Sequence, residues 1–249
     1  MLKLKSKDEI NTMKEAGAVA AAIRDKLIDF IKPGITTLEL DKKAEKLISS
    51  ANARAAFKGY QGYPANINVS LNEEVVHGIP SSHRVISEGD IVSIDLGVIY
   101  KGYYSDTAAT VGVGVVSPRA ELLIDVTRDA LYKGIEVTTE GNTLFDIAFA
   151  IESYAKFYGF SVITQLVGHG IGKSLHEDPQ VPNYVSEYLK KITLKAGLVL
   201  AIEPMIAMGS GDVVTASDNW TVITRDRSLS AHFEHTVAIL PGETMILTL

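Results

Sequence analysis

The amino-acid sequence predicts an α+β fold built from two similar halves. Three observations carry that expectation. Four stretches show the 3–4 apolar rhythm of amphipathic helices, several short β-branched runs read as strands, and one ordered set of motifs occurs twice along the chain.

The first helix opens at Ser6 and Glu9, spaced as a capping box in which each side chain accepts from the other's backbone N–H. Apolar residues then recur at Ile10, Met13, Ala16, Ala20, Ile23, Leu27 and Phe30, and Pro33-Gly34 stops the run. A second helix is expected from Thr36/Thr37 to about Ser50. A third is expected near Arg119–Val137, closed by Gly141, and a fourth from Thr143 to about Tyr158. Strands are expected at Ile91–Leu96, after the turn at Tyr100-Lys101-Gly102, at Leu198–Ile202 and within Ala231–Leu240.

The repeat is read from three matches in the same order. Gly34-Ile-Thr36-Thr-Leu-Glu39-Leu40 resembles Gly141-Asn-Thr143-Leu-Phe-Asp146-Ile147 at an offset of 107. Gly89-Asp-Ile-Val-Ser-Ile94-Asp95 resembles Gly197-Leu-Val-Leu-Ala-Ile202-Glu203 at an offset of 108. Between them, Val76-His77-Gly78-Ile79 and Gly168-His169-Gly170-Ile171 match at an offset of 92. Each half thus runs long helix, glycine, second helix, histidine-glycine turn, then a buried strand ending in a carboxylate. The halves share one site, so residues 1–249 are expected to form a single domain, repeated roughly as 1–110 and 111–249.

Composition excludes several kinds of chemistry. There is no cysteine, which removes disulfides, thiolate zinc sites and cysteine nucleophiles. A formal charge of −6 argues against a specific nucleic-acid partner, whose binding surface would be basic. The basic start of the chain is followed by no apolar signal region, and no run reaches the roughly 18 apolar residues of a membrane span. A cytoplasmic protein is expected. No nucleophile elbow, Walker A loop or dinucleotide-binding glycine motif is present.

Four acids stand in apolar strands: Asp95, Asp106, Glu203 and Glu234, with no lysine or arginine among their immediate neighbours. Alone, Asp106 reads better as a turn acid or half of a salt bridge. Glu203 changes the weighing, because it holds in the second half the place Asp95 holds in the first. Such a set would repel itself unless cations hold it, and divalent metal is the economical answer. Among the six histidines, His77 and His169 are raised by the repeat from structural residues to site candidates. His83 lies in a polar loop, His235 should point away from Glu234 on its strand, and His232 should share the Glu234 face.

Asp95, Asp106, His169, Glu203 and Glu234 together resemble the ligand set of the methionine aminopeptidase and creatinase superfamily. The surrounding strings agree: Val76-His-Gly-Ile-Pro80, Gly102-Tyr-Tyr-Ser-Asp106-Thr, Gly168-His-Gly-Ile-Gly172, Ile202-Glu-Pro-Met205 and Ser228-Leu-Ser-Ala-His-Phe-Glu-His-Thr236. The resemblance covers nearly the whole chain. It is strongest to the bacterial type I methionine aminopeptidases, since the chain is short, without an inserted helical domain or an N-terminal zinc-binding extension. It implies the pita-bread fold, in which two pseudo-symmetric halves form one antiparallel sheet backed by helices.

The resemblance also implies two divalent ions per chain, cobalt, manganese, iron(II) or zinc. Asp106 and Glu234 would bridge them, Asp95 would chelate one, and His169 and Glu203 would complete the other. Glu203 would shuttle a proton, while His77 and His176 would contact substrate and the tetrahedral intermediate. The methionine pocket would be walled by Phe57, Tyr60, Tyr63, Asn68, Leu175 and Trp220. Family members often place small or sulfur-containing side chains where Phe57 and Asn68 stand, and an aromatic at Leu175. The substrates would be the N-termini of nascent polypeptides, met by a monomer in transient contact with the ribosome, and cleavage would require a small second residue.

Overall fold

Each of the four α-helices among the described residues starts on a side chain that satisfies its first turn. Ser6 and Glu9 cap α1 (Lys7–Ile28), and Thr36 and Glu39 cap α2 (Thr37–Ser50). Ser117 caps α3 (Pro118–Glu136), and Asp146 accepts the Thr143 backbone N–H at the start of α4 (Leu144–Phe157). All four lie within a residue or two of the bounds expected from sequence. The structure, a computed structural model, describes residues 2–249.

Six strands position the site: β1 (Asn68–Leu71), β2 (Ile91–Tyr100), β3 (Tyr103–Gly112), β4 (Gly168–Gly170), β5 (Val199–Ile202) and β6 (Glu234–Leu240). They belong to one nine-stranded antiparallel sheet, whose order is Arg54–Ala55, β2, β3, β6, β5, β4 and Glu177–Val181. Strand β1 also pairs with β2, and Glu243–Ile246 with β6. Lys101 and Gly102 both take positive φ, 49° and 82°, in the two-residue turn that joins β2 to β3.

Each strand is divided by its period-2 alternation. Val92, Ile94, Leu96 and Val98 of β2 pack with Ile23 and Leu27 of α1 and Leu40 and Ile48 of α2. Leu200 and Ile202 of β5 and Val237 and Ile239 of β6 pack with Leu123 and Leu131 of α3 and Ile147 and Ile151 of α4. One pair of helices thus covers each end of one sheet face. The opposite parity puts Asp95, Glu203 and Glu234 on the other face.

The structure departs from the sequence reading in three places. Two three-stranded sheets accompany the large one: Ser161–Val162 with Met205–Ala207 and Ser230–His232, and Glu74–Val76 with Val222–Thr224 and Val213–Thr215. The Ala231–Leu240 run is two strands rather than one. It breaks at Phe233, with Ser230–His232 pairing in a small sheet and β6 in the large one. Both pieces are buried, so hydropathy does not mark the change of ladder. The stretch around His169 is a strand and not a turn. Its glycines serve close approach instead, since a Cβ on Gly168 would lie 2.3 Å from the Ala201 carbonyl oxygen on β5. No helix among the described residues is long and apolar enough to cross a membrane.

Candidate active site

Pairing register brings the acids together. On the β2–β3 hairpin Asp95 faces Ala108 and Gly97 faces Asp106, so the two acids lie two residues apart on one face. Glu234 opens β6 opposite Ala108, and Glu203 directly follows β5. The Thr236 hydroxyl locks the strands, donating to the Asp106 carbonyl at 2.8 Å and accepting the Asp106 N–H at 3.0 Å. His169 on β4 stands 3.6 Å from a Glu203 oxygen through Nε2.

Ligand atoms of Asp106, His169 and Glu234 all lie within 4.8 Å of one another. Asp95 flanks this trio beside Asp106, and Glu203 flanks it beside His169. Burial of the four carboxyls pushes each above its usual range, and repulsion from neighbouring acids pushes Asp106, Glu203 and Glu234 further. Asp95 rises to about 7 through burial, although the Asn68 amide, donating at 2.6 Å, works the other way. Asp95 Oδ1 and Glu234 Oε1 are buried without a hydrogen-bond partner.

The acids form the floor of a cavity of about 140 Å³. Its walls contain every residue expected there from sequence: Phe57, Tyr60, Tyr63, Asn68, Leu175 and Trp220, with His77 and His176 at the edge of the acids. Gly97 makes space for one wall, since a Cβ there would lie 2.8 Å from the Phe57 ring. Tyr63 is nearly buried and donates to the carbonyls of Ile67 and Gly78, so it holds the backbone beside His77 as well as lining the cavity. Trp220 sits where Asp218 accepts the N–H groups of Trp220 and Thr221, and its ring meets Tyr63 edge-on at 5.1 Å. Tyr60 hydroxyl and His176 Nδ1 are 2.7 Å apart, and the His176 ring meets His169 at 4.3 Å between centroids.

His77 takes φ 60°, a left-handed conformation at a non-glycine residue, and burial lowers its pKa to about 4. It is therefore a neutral imidazole near pH 7. His83 is exposed and His235 turns to the Thr248 hydroxyl at 2.8 Å, both as expected. His232 has both ring nitrogens unpartnered and stands 3.7 Å from Glu203 through Nε2. Gln61, unforeseen from sequence, lines the cavity at φ 48°. Its position between Gly59 and Gly62, both at positive φ, is the one local signal of an unusual backbone there.

Residues 11–241 match metallopeptidase family M24. The chain belongs to that family. It is similar to the methionine aminopeptidase of Clostridium acetobutylicum, 48% identical over 249 residues, covering 100% of this chain and 99% of the relative. The crystal structure of methionine aminopeptidase from Rickettsia prowazekii superposes with a TM-score of 0.97 at 42% identity, covering 100% of both chains. That from Thermotoga maritima gives the same score and identity, covering 100% of this chain and 99% of the other. The fold is the pita-bread fold of these enzymes.

A metallopeptidase of this family requires divalent metal, and the residues present fit one. Two orphaned carboxylate oxygens in a buried cluster of like charges would cost several kcal/mol without a cation. Carboxylates and an imidazole, without thiolate, suit hard or borderline divalent ions.

A pH dependence follows. In the metal-free protein these carboxyls keep their protons to higher pH than in the unfolded chain, where they ionise near pH 4. The fold therefore loses stability as pH rises from about 4 through the Asp95 value of about 7, and a bound cation offsets that loss. Melting chelator-treated protein with and without manganese should show a larger metal-induced rise in Tm at pH about 7.5 than at pH about 5. Equal rises would mean that these carboxylates do not carry the metal.

Proposed function

We propose that the chain removes the initiator methionine from new polypeptides by metal-assisted hydrolysis of the first peptide bond. One observation carries this reading: in an M24 chain whose relatives are named methionine aminopeptidases, the acid cluster floors a small pocket of about 140 Å³. That volume is well below the ~300–1,000 Å³ of sites for drug-sized ligands, and it suits a single side chain. Its walls of Phe57, Tyr63, Leu175 and Trp220 are apolar enough to take a thioether.

Two divalent ions are proposed. Asp95, Asp106, His169, Glu203 and Glu234 would hold them. Bound there, divalent metal makes water acidic enough to act as a nucleophile at neutral pH and polarises the scissile carbonyl. Glu203 takes the proton released by the attacking water and returns it to the departing amine. His77 and His176 donate hydrogen bonds to the substrate carbonyl as it becomes tetrahedral, which an imidazole kept neutral by burial does without adding charge to the site. Tyr60 fixes the His176 ring through Nδ1. The reading extends to cytoplasmic action by a monomer of the type I class beside the ribosome; the absence of cysteine fits a reducing compartment.

Substrate choice provides the direct test. Met-Ala peptides should be cleaved, Met-Lys peptides poorly, and Ala-Pro peptides, which an X-Pro peptidase would take, not at all. Comparable kcat/KM for Met-Ala and Met-Lys, or preference for Ala-Pro, would sink the assignment.

The histidines should separate by role. His169→Ala should lose metal, because it removes one of the three mutually close ligands. His77→Ala should keep its metal and lose kcat by about 10²–10³-fold, as for loss of one oxyanion donor. Elemental analysis and kinetics at one metal concentration decide it. Equal metal loss in both variants would make both residues ligands.

A further inference from the structure

The loop from Ile171 to His176 carries two residues of the cavity wall, Leu175 and His176, yet forms no strand or helix of its own. Its shape is set from below by Glu177. One oxygen of Glu177 accepts the backbone N–H groups of Lys173 at 3.1 Å and Ser174 at 3.3 Å. The other oxygen meets Lys5 Nζ at 2.9 Å, and this pair is buried, with side chains 6% and 1% exposed.

Two glycines leave the space that Lys5 occupies. A Cβ on Gly172 would come within 2.6 Å of Lys5 Cε, and one on Gly197 within 2.9 Å of the Lys5 carbonyl oxygen. The Lys5 N–H also donates to the Gly197 carbonyl at 2.7 Å, in the turn that leads into β5 and Glu203. A second ion pair, Lys173 with Glu9 at 3.1 Å, joins the same loop to the first turn of α1. Its lysine is largely exposed and screened by water, so it fastens far less firmly.

We propose that Lys5 and Glu177 are a positioning pair for the reaction. They clamp the segment before α1 onto the Ile171–His176 loop and so set where His176 and Leu175 stand against the substrate. The inference rests on the reading of His176 as a substrate contact. Without Lys5, the buried Glu177 keeps only the largely exposed Lys3, 3.5 Å from its other oxygen, as a counter-charge, and the loop relieves this by opening to water. Opening draws His176 away from Tyr60.

The test measures kcat, KM, metal content and Tm of metal-replete variants on a Met-Ala peptide. Lys5→Met should lower kcat/KM by about 10- to 100-fold, the scale of a misplaced contact, with metal content unchanged. Gly172→Ala, which pushes on Lys5, should act in the same direction, and Lys5→Arg should recover most of the rate. Ile23→Val, on the buried face of α1, serves as a control that lowers Tm and leaves the kinetics unchanged. In metal-free protein, Lys5→Met should shift the ring-nitrogen NMR signals of His176 and leave those of His77 in place. Inactivity of the wild-type protein on Met-Ala would overturn the functional reading and the clamp with it. Wild-type cleavage, with Lys5→Met matching it in kcat, KM and the His176 signals, would overturn the clamp alone.

Discussion

Four carboxylates gathered and largely buried at one place repel one another, and the sheet holds them there. Among the described residues, no lysine or arginine forms an ion pair with them. The acids sit on strands, or for Glu203 directly after one, beside residues buried against helices, so they cannot swing out to water without unpacking the sheet. Burial raises the pKa of all four, and repulsion raises Asp106, Glu203 and Glu234 further, so a divalent cation would let the cluster ionise.

Alternation along the strands turns this constraint into an active site. On β2 the residues of one parity bury themselves against α1 and α2, while the other parity presents Asp95 and, at Gly97, the space for Phe57. The same division on β5 and β6 supplies Glu203 and Glu234. Apolar packing on one face therefore fixes the metal-binding geometry on the other. The pocket wall comes from less regular parts: the loop of Tyr60 and Tyr63, the hairpin tip of Trp220, and the loop of Leu175 and His176. These parts decide what is bound, and they are held by individual hydrogen bonds rather than by ladders.

The helices and the acids were legible in sequence for local reasons. Capping residues such as Ser6 with Glu9 announce a helix start, and a carboxylate in a β-branched run is costly enough to stand out. The repeat then linked Asp95 to Glu203 across 108 positions. What stayed hidden depends on partners distant in the chain. The break at Phe233 is invisible because both sides of it are buried apolar strand, and only the identity of the pairing strands differs. The strand character of Gly168–Gly170 depends on how near Ala201 approaches, which glycines permit but do not specify. Gln61 looks like a turn residue, and Lys5 looks like any charged residue near a helix start. Their places are set by tertiary contacts alone.

Anomalous diffraction from manganese-soaked crystals tests the central claim most directly. The acid cluster predicts strong anomalous density among Asp95, Asp106, His169, Glu203 and Glu234, in two peaks, with none of comparable height elsewhere on the chain. An empty cluster, or manganese held only at surface carboxylates, would contradict the claim that these buried acids exist to hold divalent metal.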